Sequence, residues 1–170
     1  MVDLKRDILP LKNILYRLAL RITLNSQEAE DVVQDVIIKM WKMGERLDDV
    51  DNLESFALRL TRNLSIDRQR MKVNQAESFD ELEDSHGGIS NSIESRLEQQ
   101  ERIDSIRDIM MQMPEKQRLV MQLRDFEGKS YKEIALALEI SEDQVKVNIF
   151  RARQFVKSRI AKAGDAIFFM

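Results

Sequence analysis

The chain contains no cysteine. That excludes disulfides, zinc–thiolate sites, iron–sulfur clusters and a cysteine nucleophile. Two prolines and five glycines in 170 residues are too few for a turn-rich all-β protein. Aromatic residues make up 6%, low for a β-sandwich, whose strands favour them. One histidine occurs, His86, in a polar stretch with nothing rigid around it to make it a preorganised base. No glycine-rich phosphate loop and no metal-ligand spacing is found, so no enzyme, cofactor, metal or small-molecule substrate is expected. No apolar run approaches the ~20 residues of a membrane helix. Residues 1–7, Met1-Val2-Asp3-Leu4-Lys5-Arg6-Asp7, lack the apolar centre of a signal peptide. The net charge of −3 gives no global pull toward nucleic acid. What remains is 43% hydrophobic and 34% charged residues, enough for a core. These numbers describe a soluble, cytoplasmic, mostly helical chain of one domain or two small ones.

Charge is unevenly placed. Residues 1–74 hold 13 basic and 12 acidic side chains, residues 75–101 one and eight, and residues 102–170 13 and 10. The stretch 75–92 is rich in Asp, Glu, Ser and Gly, and its apolar residues Phe79, Leu82 and Ile89 follow no period. Such a segment cannot offset its ordering entropy by burial. The expected organisation is therefore a helical domain at 1–74, a flexible acidic linker at 75–101 that includes the start of the next helix, a helical domain at 102–163, and an apolar tail at 164–170.

In the first block, Leu4, Ile8, Leu11, Leu15, Leu18 and Ile22 form one helical stripe. Ser26 is placed to N-cap the next helix. Ala29, Val32, Val33, Val36, Ile37, Met40 and Trp41 then form a core face, with Glu28, Asp31, Gln34, Asp35 and Lys39 opposite. Residues 44–51 read as a polar loop. Asp51 and Glu54 read as a capping box for a third helix with Leu53, Phe56, Ala57, Leu60 and Leu64 inward. In the second block, Ile103, Ile106, Ile109, Met110 and Met113 form a helix that Pro114 interrupts, and Gly128 reads as a C-cap.

Residues 130–139, a tight turn at Ile140-Ser141, and a longer helix from Glu142 read as a helix-turn-helix. Ser130/Glu133 and Ser141/Gln144 have capping-box spacing. Ala135 is small where the helices cross, Ile140 plugs the turn, and Val145 packs back on the first helix. Glu139 stands where glycine is usual and positive φ is required. Residues 145–162 carry Lys146, Arg151, Arg153, Lys157, Arg159 and Lys162 and no acid. Solvated faces normally mix signs, so this one-sided field points to phosphate. Gln144, Lys146, Asn148 and Arg151 suit base edges; Arg153 and Lys157 suit phosphates. A second basic helix carries Arg59, Arg62, Arg68, Arg70 and Lys72 against Asp67. Helix-dipole complementarity explains the charge order but not why Asn63 and Asp67 sit among arginines.

Ala29-Glu30-Asp31-Val32-Val33-Gln34-Asp35-Val36 through Lys39-Met40-Trp41 resembles conserved region 2.2 of bacterial sigma factors. Leu60-Thr61-Arg62-Asn63-Leu64-Ser65-Ile66-Asp67 resembles region 2.4. Met113-Pro114-Glu115-Lys116-Gln117-Arg118 and the helix-turn-helix resemble region 4. With only a linker between them, the chain is similar to the extracytoplasmic-function (ECF) group of the sigma-70 family. The resemblance implies an all-α chain with a region 2 bundle and a region 4 helix-turn-helix bundle.

It also implies the partners. These are core RNA polymerase, through the β′ clamp helices and the β flap, promoter DNA, and an anti-sigma factor. Asp31, Gln34, Asp35 and Lys39 would then contact core polymerase. Arg59, Arg62, Asn63, Asp67 and Arg68 would melt and read the −10 element, and residues 44–52 would capture a flipped base. Ser130, Lys132, Gln144, Lys146, Asn148, Arg151, Arg153 and Lys157 would meet the −35 element, the first two as phosphate contacts at a helix N-terminus. Two departures stand out: Val145-Lys146-Val147-Asn148 replaces a common Val-Lys-Ser-Arg, and Phe56 replaces a frequent Trp. The alternative is a two-domain helix-turn-helix regulator that binds duplex DNA without polymerase, usually as a symmetric dimer. A helical adaptor that binds protein only would leave the DNA-facing charges dispensable.

Overall fold

The computed structural model describes residues 1–75 and 94–162. Most of the expected acidic linker, with His86, and the apolar tail lie outside the described residues. Seven α-helices occur among the described residues: α1 (Lys12–Thr23), α2 (Ser26–Met43), α3 (Leu53–Gln75), α4 (Glu94–Met110), α5 (Glu115–Met121), α6 (Tyr131–Leu138) and α7 (Glu142–Lys162).

The stripe from Leu4 to Ile22 is not one helix. Asp3 accepts from the N–H groups of Lys5 and Arg6 at 2.9 and 3.0 Å and starts a wide turn over Leu4–Ile8. Pro10, which has no N–H to donate, sits in a tighter turn over Leu9–Leu11, and α1 begins only at Lys12. Ile8 is still buried, so the apolar face continues while the backbone geometry changes. Asn25, not Ser26, caps α2: its Oδ1 accepts from the Glu28 N–H at 3.0 Å. Asn52, not Asp51, caps α3, accepting from the Ser55 N–H at 2.9 Å. Residues 44–49 form a 3-10 turn whose Leu47 is buried, rather than a polar loop.

Helices α1, α2 and α3 bury Leu15, Leu18, Ala19, Ile22, Val32, Val33, Val36, Met40, Ala57 and Leu58 between them. Each Leu or Val fully buried is worth about 1.5–3 kcal/mol. Trp41, expected in this core, is 64% exposed. Met40 takes the inward position, and the next residue lies about 100° further round the helix. On α3 the buried set includes the small polar residues Ser55, Thr61 and Ser65. The Thr61 hydroxyl donates to the Ala57 carbonyl at 2.8 Å, which satisfies it within its own helix.

The second bundle packs Met110, Met113, Leu119, Val120, Leu123, Ile134, Leu138, Val145, Ile149, Ala152 and Val156. Only the C-terminal end of the α4 stripe is seated, because Ile103 is exposed while Met110 is fully buried. Helix α5 continues into a wide turn over Gln122–Phe126. Gly128 closes that turn at φ 71°, a value glycine adopts without a Cβ penalty.

The two bundles are packed together. Helix α3 lies on α6, and α1 lies on α5. Arg17 of α1 forks onto Glu127, donating from Nε at 2.6 Å and from a terminal nitrogen at 2.8 Å. Gln122 donates to the same carboxylate at 3.0 Å and accepts from Arg21 Nε at 3.1 Å. Burial pushes the Arg21 guanidinium down to about 10, helped by repulsion from Arg107 and Arg118. The Glu127 side chain is only 7% exposed, so losing Arg17 strands a buried charge. Replacing Arg17→Met is expected to cost about 1–2 kcal/mol, discounted for the partial exposure of Arg17. That corresponds to a fall in Tm of about 3–6 °C. An unchanged Tm would mean that this junction is not formed in solution.

Candidate polymerase and nucleic-acid interface

The helix-turn-helix is built as its sequence predicts. The Ser130 hydroxyl accepts from the Glu133 N–H at 3.1 Å while the Glu133 carboxylate accepts from the Ser130 N–H at 3.2 Å. Ser141 and Gln144 repeat the exchange, both at 3.1 Å. Between them Glu139 takes φ 57°, ψ 46°, and the Ile140 N–H donates to the Ala135 carbonyl at 3.1 Å. Ile134, Leu138 and Val145 are buried under the crossing.

Helix α7 presents two adjoining stripes at helical spacing. One carries Gln144, Val147, Asn148 and Arg151; the other carries Lys146, Phe150, Arg153 and Lys157. Lys146, Arg151 and Lys157 are exposed, with no ion-pair partner among the described residues. Arg153 is engaged by Asp125, to which it donates at 3.2 and 2.6 Å; that contact raises its pKa. Gln144 spends its side-chain oxygen on the capping box, and Asn148 donates to the Gln144 carbonyl at 2.7 Å. Val147 is 46% exposed and Phe150 63%. Counting cations missed these two apolar residues; their polar-face register was the signal that could have found them. Ser130 and Lys132 are exposed at the start of α6.

On α3, Arg59, Arg62 and Arg68 are half-buried, and Asn63 and Asp67 are exposed. They do not form one free cationic surface. Arg62 donates to Asn63 Oδ1 at 3.1 Å, and the Arg59 guanidinium lies 5.2 Å over the Phe56 ring. Arg68 pairs with Asp31 at 3.6 Å and Asp35 at 3.0 Å. This arrangement joins two sets that the sequence kept apart: α2 acids and an α3 arginine neutralise each other. Gln34 and Lys39 are exposed. The same α2 face continues through Ile38, 48% exposed, to Trp41. Trp41 also lines a cleft of about 510 Å³ with Leu4, Gly44, Glu45, Leu47 and Asp48.

Residues 8–74 match the family model for Sigma-70 region 2, and residues 103–163 match that for Sigma-70, region 4. RNA polymerase sigma factor SigZ of Bacillus subtilis is 31% identical over 128 residues, spanning 75% of this chain and 70% of that protein. ECF RNA polymerase sigma factor SigL of Mycobacterium tuberculosis is 27% identical over 154 residues, spanning 89% and 85%. The chain belongs to the ECF group of RNA polymerase sigma factors. As a sigma factor it binds core RNA polymerase and promoter DNA and directs promoter-specific transcription; the family is a non-catalytic initiation factor. The fold agrees with that of the sigma factor RpoE, solved with the anti-sigma factor NepR from Bartonella quintana. The TM-score is 0.73 at 20% identity, over 92% of this chain and 96% of that one. No helix among the described residues is long and apolar enough to cross a membrane.

The capping box of α6 gives a pH-dependent prediction. The Ser130 backbone and hydroxyl hydrogen bonds hold the Glu133 carboxyl below its usual range. A depressed acid contributes stability above its unfolded pKa and loses it as the pH falls through the folded one. Ser130→Ala is expected to cost about 1 kcal/mol near neutral pH. Its difference from the parent should shrink between about pH 5 and pH 3 in denaturant titrations. A difference that stays constant would place the Ser130 contribution outside the box.

Proposed function

We propose a division of labour among these surfaces. Helix α7 reads the −35 element, with Lys146, Arg151 and Lys157 as the free cations. Gln144 and Asn148 face base edges, and Val147 and Phe150 meet thymine methyl groups, the apolar feature of the major groove. Arg153 acts on phosphate only when Asp125 releases it. Ser130 and Lys132 take phosphates at the start of α6. Arg59, Arg62, Asn63, Asp67 and Arg68 act on the −10 element, and the cleft beside Gly44–Asp49 receives the flipped base. Asp31, Gln34, Asp35 and Lys39 dock on core polymerase. Ile38 and Trp41 supply apolar anchors there, as aromatic side chains do at the centre of protein interfaces. An anti-sigma factor is the expected regulator, and the cytoplasm the expected compartment. The chain acts as a binding subunit and not as an enzyme.

The observation that carries this reading is the α7 face: exposed cations of one sign, two exposed apolar side chains, and a helix-turn-helix capped at both helices. The test is transcription in vitro with purified bacterial core polymerase on a genomic-fragment library. Transcripts that appear only with this protein, and whose start sites share two upstream elements, are expected. Arg151→Ala should lower output about tenfold, the loss of one base or phosphate contact. Trp41→Ala should weaken competition for core polymerase without changing helix content. No transcripts, with tight binding of the free protein to a palindromic duplex, would favour the regulator reading instead.

A further inference from the structure

The junction between the two bundles lies on the side chains assigned to the −10 element. Glu139 Oε1 accepts from Asn63 Nδ2 at 3.4 Å and stands 3.9 Å from Arg59 Nε. Two further contacts tie α3 to this unit. The Ser55 hydroxyl donates to the Glu133 carbonyl at 3.2 Å, and Lys129 pairs with Glu54. Together they hold α3 along the length of α6, from the residue before its cap to its C-terminal end.

Glu139 is an unexpected residue at its position. Its backbone is left-handed, and only Leu24 shares that state among the described residues other than glycine. Glycine adopts this conformation without strain. A strained residue that persists points to a role for its side chain. The strain is local to the turn between α6 and α7, so it is carried whether or not the bundles touch. Only the carboxylate can tell the two states apart. A carboxylate oxygen also competes with the acceptors DNA offers. Arg59 and Asn63 can donate to a phosphate or base oxygen, or to Glu139, but the same N–H groups cannot serve both.

The promoter imposes a second constraint. Elements at −10 and −35 are ~25 base pairs apart, or ~85 Å of duplex at ~3.4 Å per pair. A chain whose α3 is packed on α6 cannot reach both.

We propose that Glu139 is an intramolecular latch: its carboxylate occupies the Arg59 and Asn63 donors in the free protein, holds α6 on α3, and masks the −10 surface until core polymerase separates the two bundles. This rests on the assignment of Arg59 and Asn63 to the −10 element. An exposed pair at these distances is a weak tie, which suits a contact that a binding partner must break.

The test uses the full chain. The absence of native cysteine allows two unique labels, at Glu30→Cys on α2 and Gln154→Cys on α7, both exposed and outside the assigned contacts. Energy transfer between dyes reports closure. A labelled single strand carrying the −10 element of a promoter mapped by transcription reports binding. Glu139→Gly removes the carboxylate and relieves the turn. Glu139→Gln keeps length and strain but removes charge, so it remains informative if the glycine variant alters the fold. The latch predicts lower transfer and about threefold to fivefold tighter strand binding for Glu139→Gly, with Glu139→Gln between it and the parent. Unchanged transfer and affinity in both variants overturns the latch. Lower transfer with unchanged affinity overturns the assignment of Arg59 and Asn63, and with it the masking.

Discussion

Helix α3 packs on α1, α2 and α6 and buries Ser55, Ala57, Leu58, Thr61 and Ser65 among them. This double packing fixes the relation between the two bundles. Ala57, Thr61 and Ser65 are small side chains in this buried set. The residues on the α6 side are polar or charged: Ser55, Arg59 and Asn63, with Glu54 on Lys129. A core made of Leu and Val is permanent under native conditions. The α3–α6 side of the junction, held by ion pairs and single hydrogen bonds, is weaker, while its α1 side carries the Arg17 fork on the buried Glu127. The molecule therefore has an apolar core within each bundle and polar pairs across the junction between them.

The charges follow the same logic. Cations assigned to −10 DNA are occupied by carboxylates of this chain: Arg68 by Asp31 and Asp35, and Arg59 by Glu139. On α7, Arg153 is held by Asp125, while Lys146, Arg151 and Lys157 stand free among the described residues. The overall charge of −3 thus conceals a proposed −35 surface with three cations unpaired among the described residues and a proposed −10 surface that is largely paired. A factor arranged this way has a weak field for free DNA. On the proposed assignment, its acids become available for core polymerase, and its cations for promoter, when partners replace the internal pairs.

Much of this was legible in the sequence, and what was legible is local. Both capping boxes of the helix-turn-helix, the left-handed residue at Glu139 and the buried faces of α6 and α7 follow from spacings of three and four residues. The helix starts at α2 and α3 were misplaced by one residue, because Asn25 and Asn52 cap as well as their neighbours. Trp41 looked like core because one step along a helix cannot be resolved from composition. The burial of Leu58 and Ser65 was not legible, since α3 is covered from two sides by elements distant in sequence. The junction itself was invisible. Arg17 and Glu127 are 110 positions apart and Asn63 and Glu139 are 76 apart, and no periodicity connects them.

The two bundles of this sigma factor are closed on each other through α3 on α6 and α1 on α5. Small-angle X-ray scattering of the free chain tests it most directly. A closed chain predicts a radius of gyration near the ~15–16 Å of a compact protein of this length and a distance distribution with one maximum. A value of roughly 20 Å or more with two resolved maxima, the signature of tethered independent bundles, would contradict it.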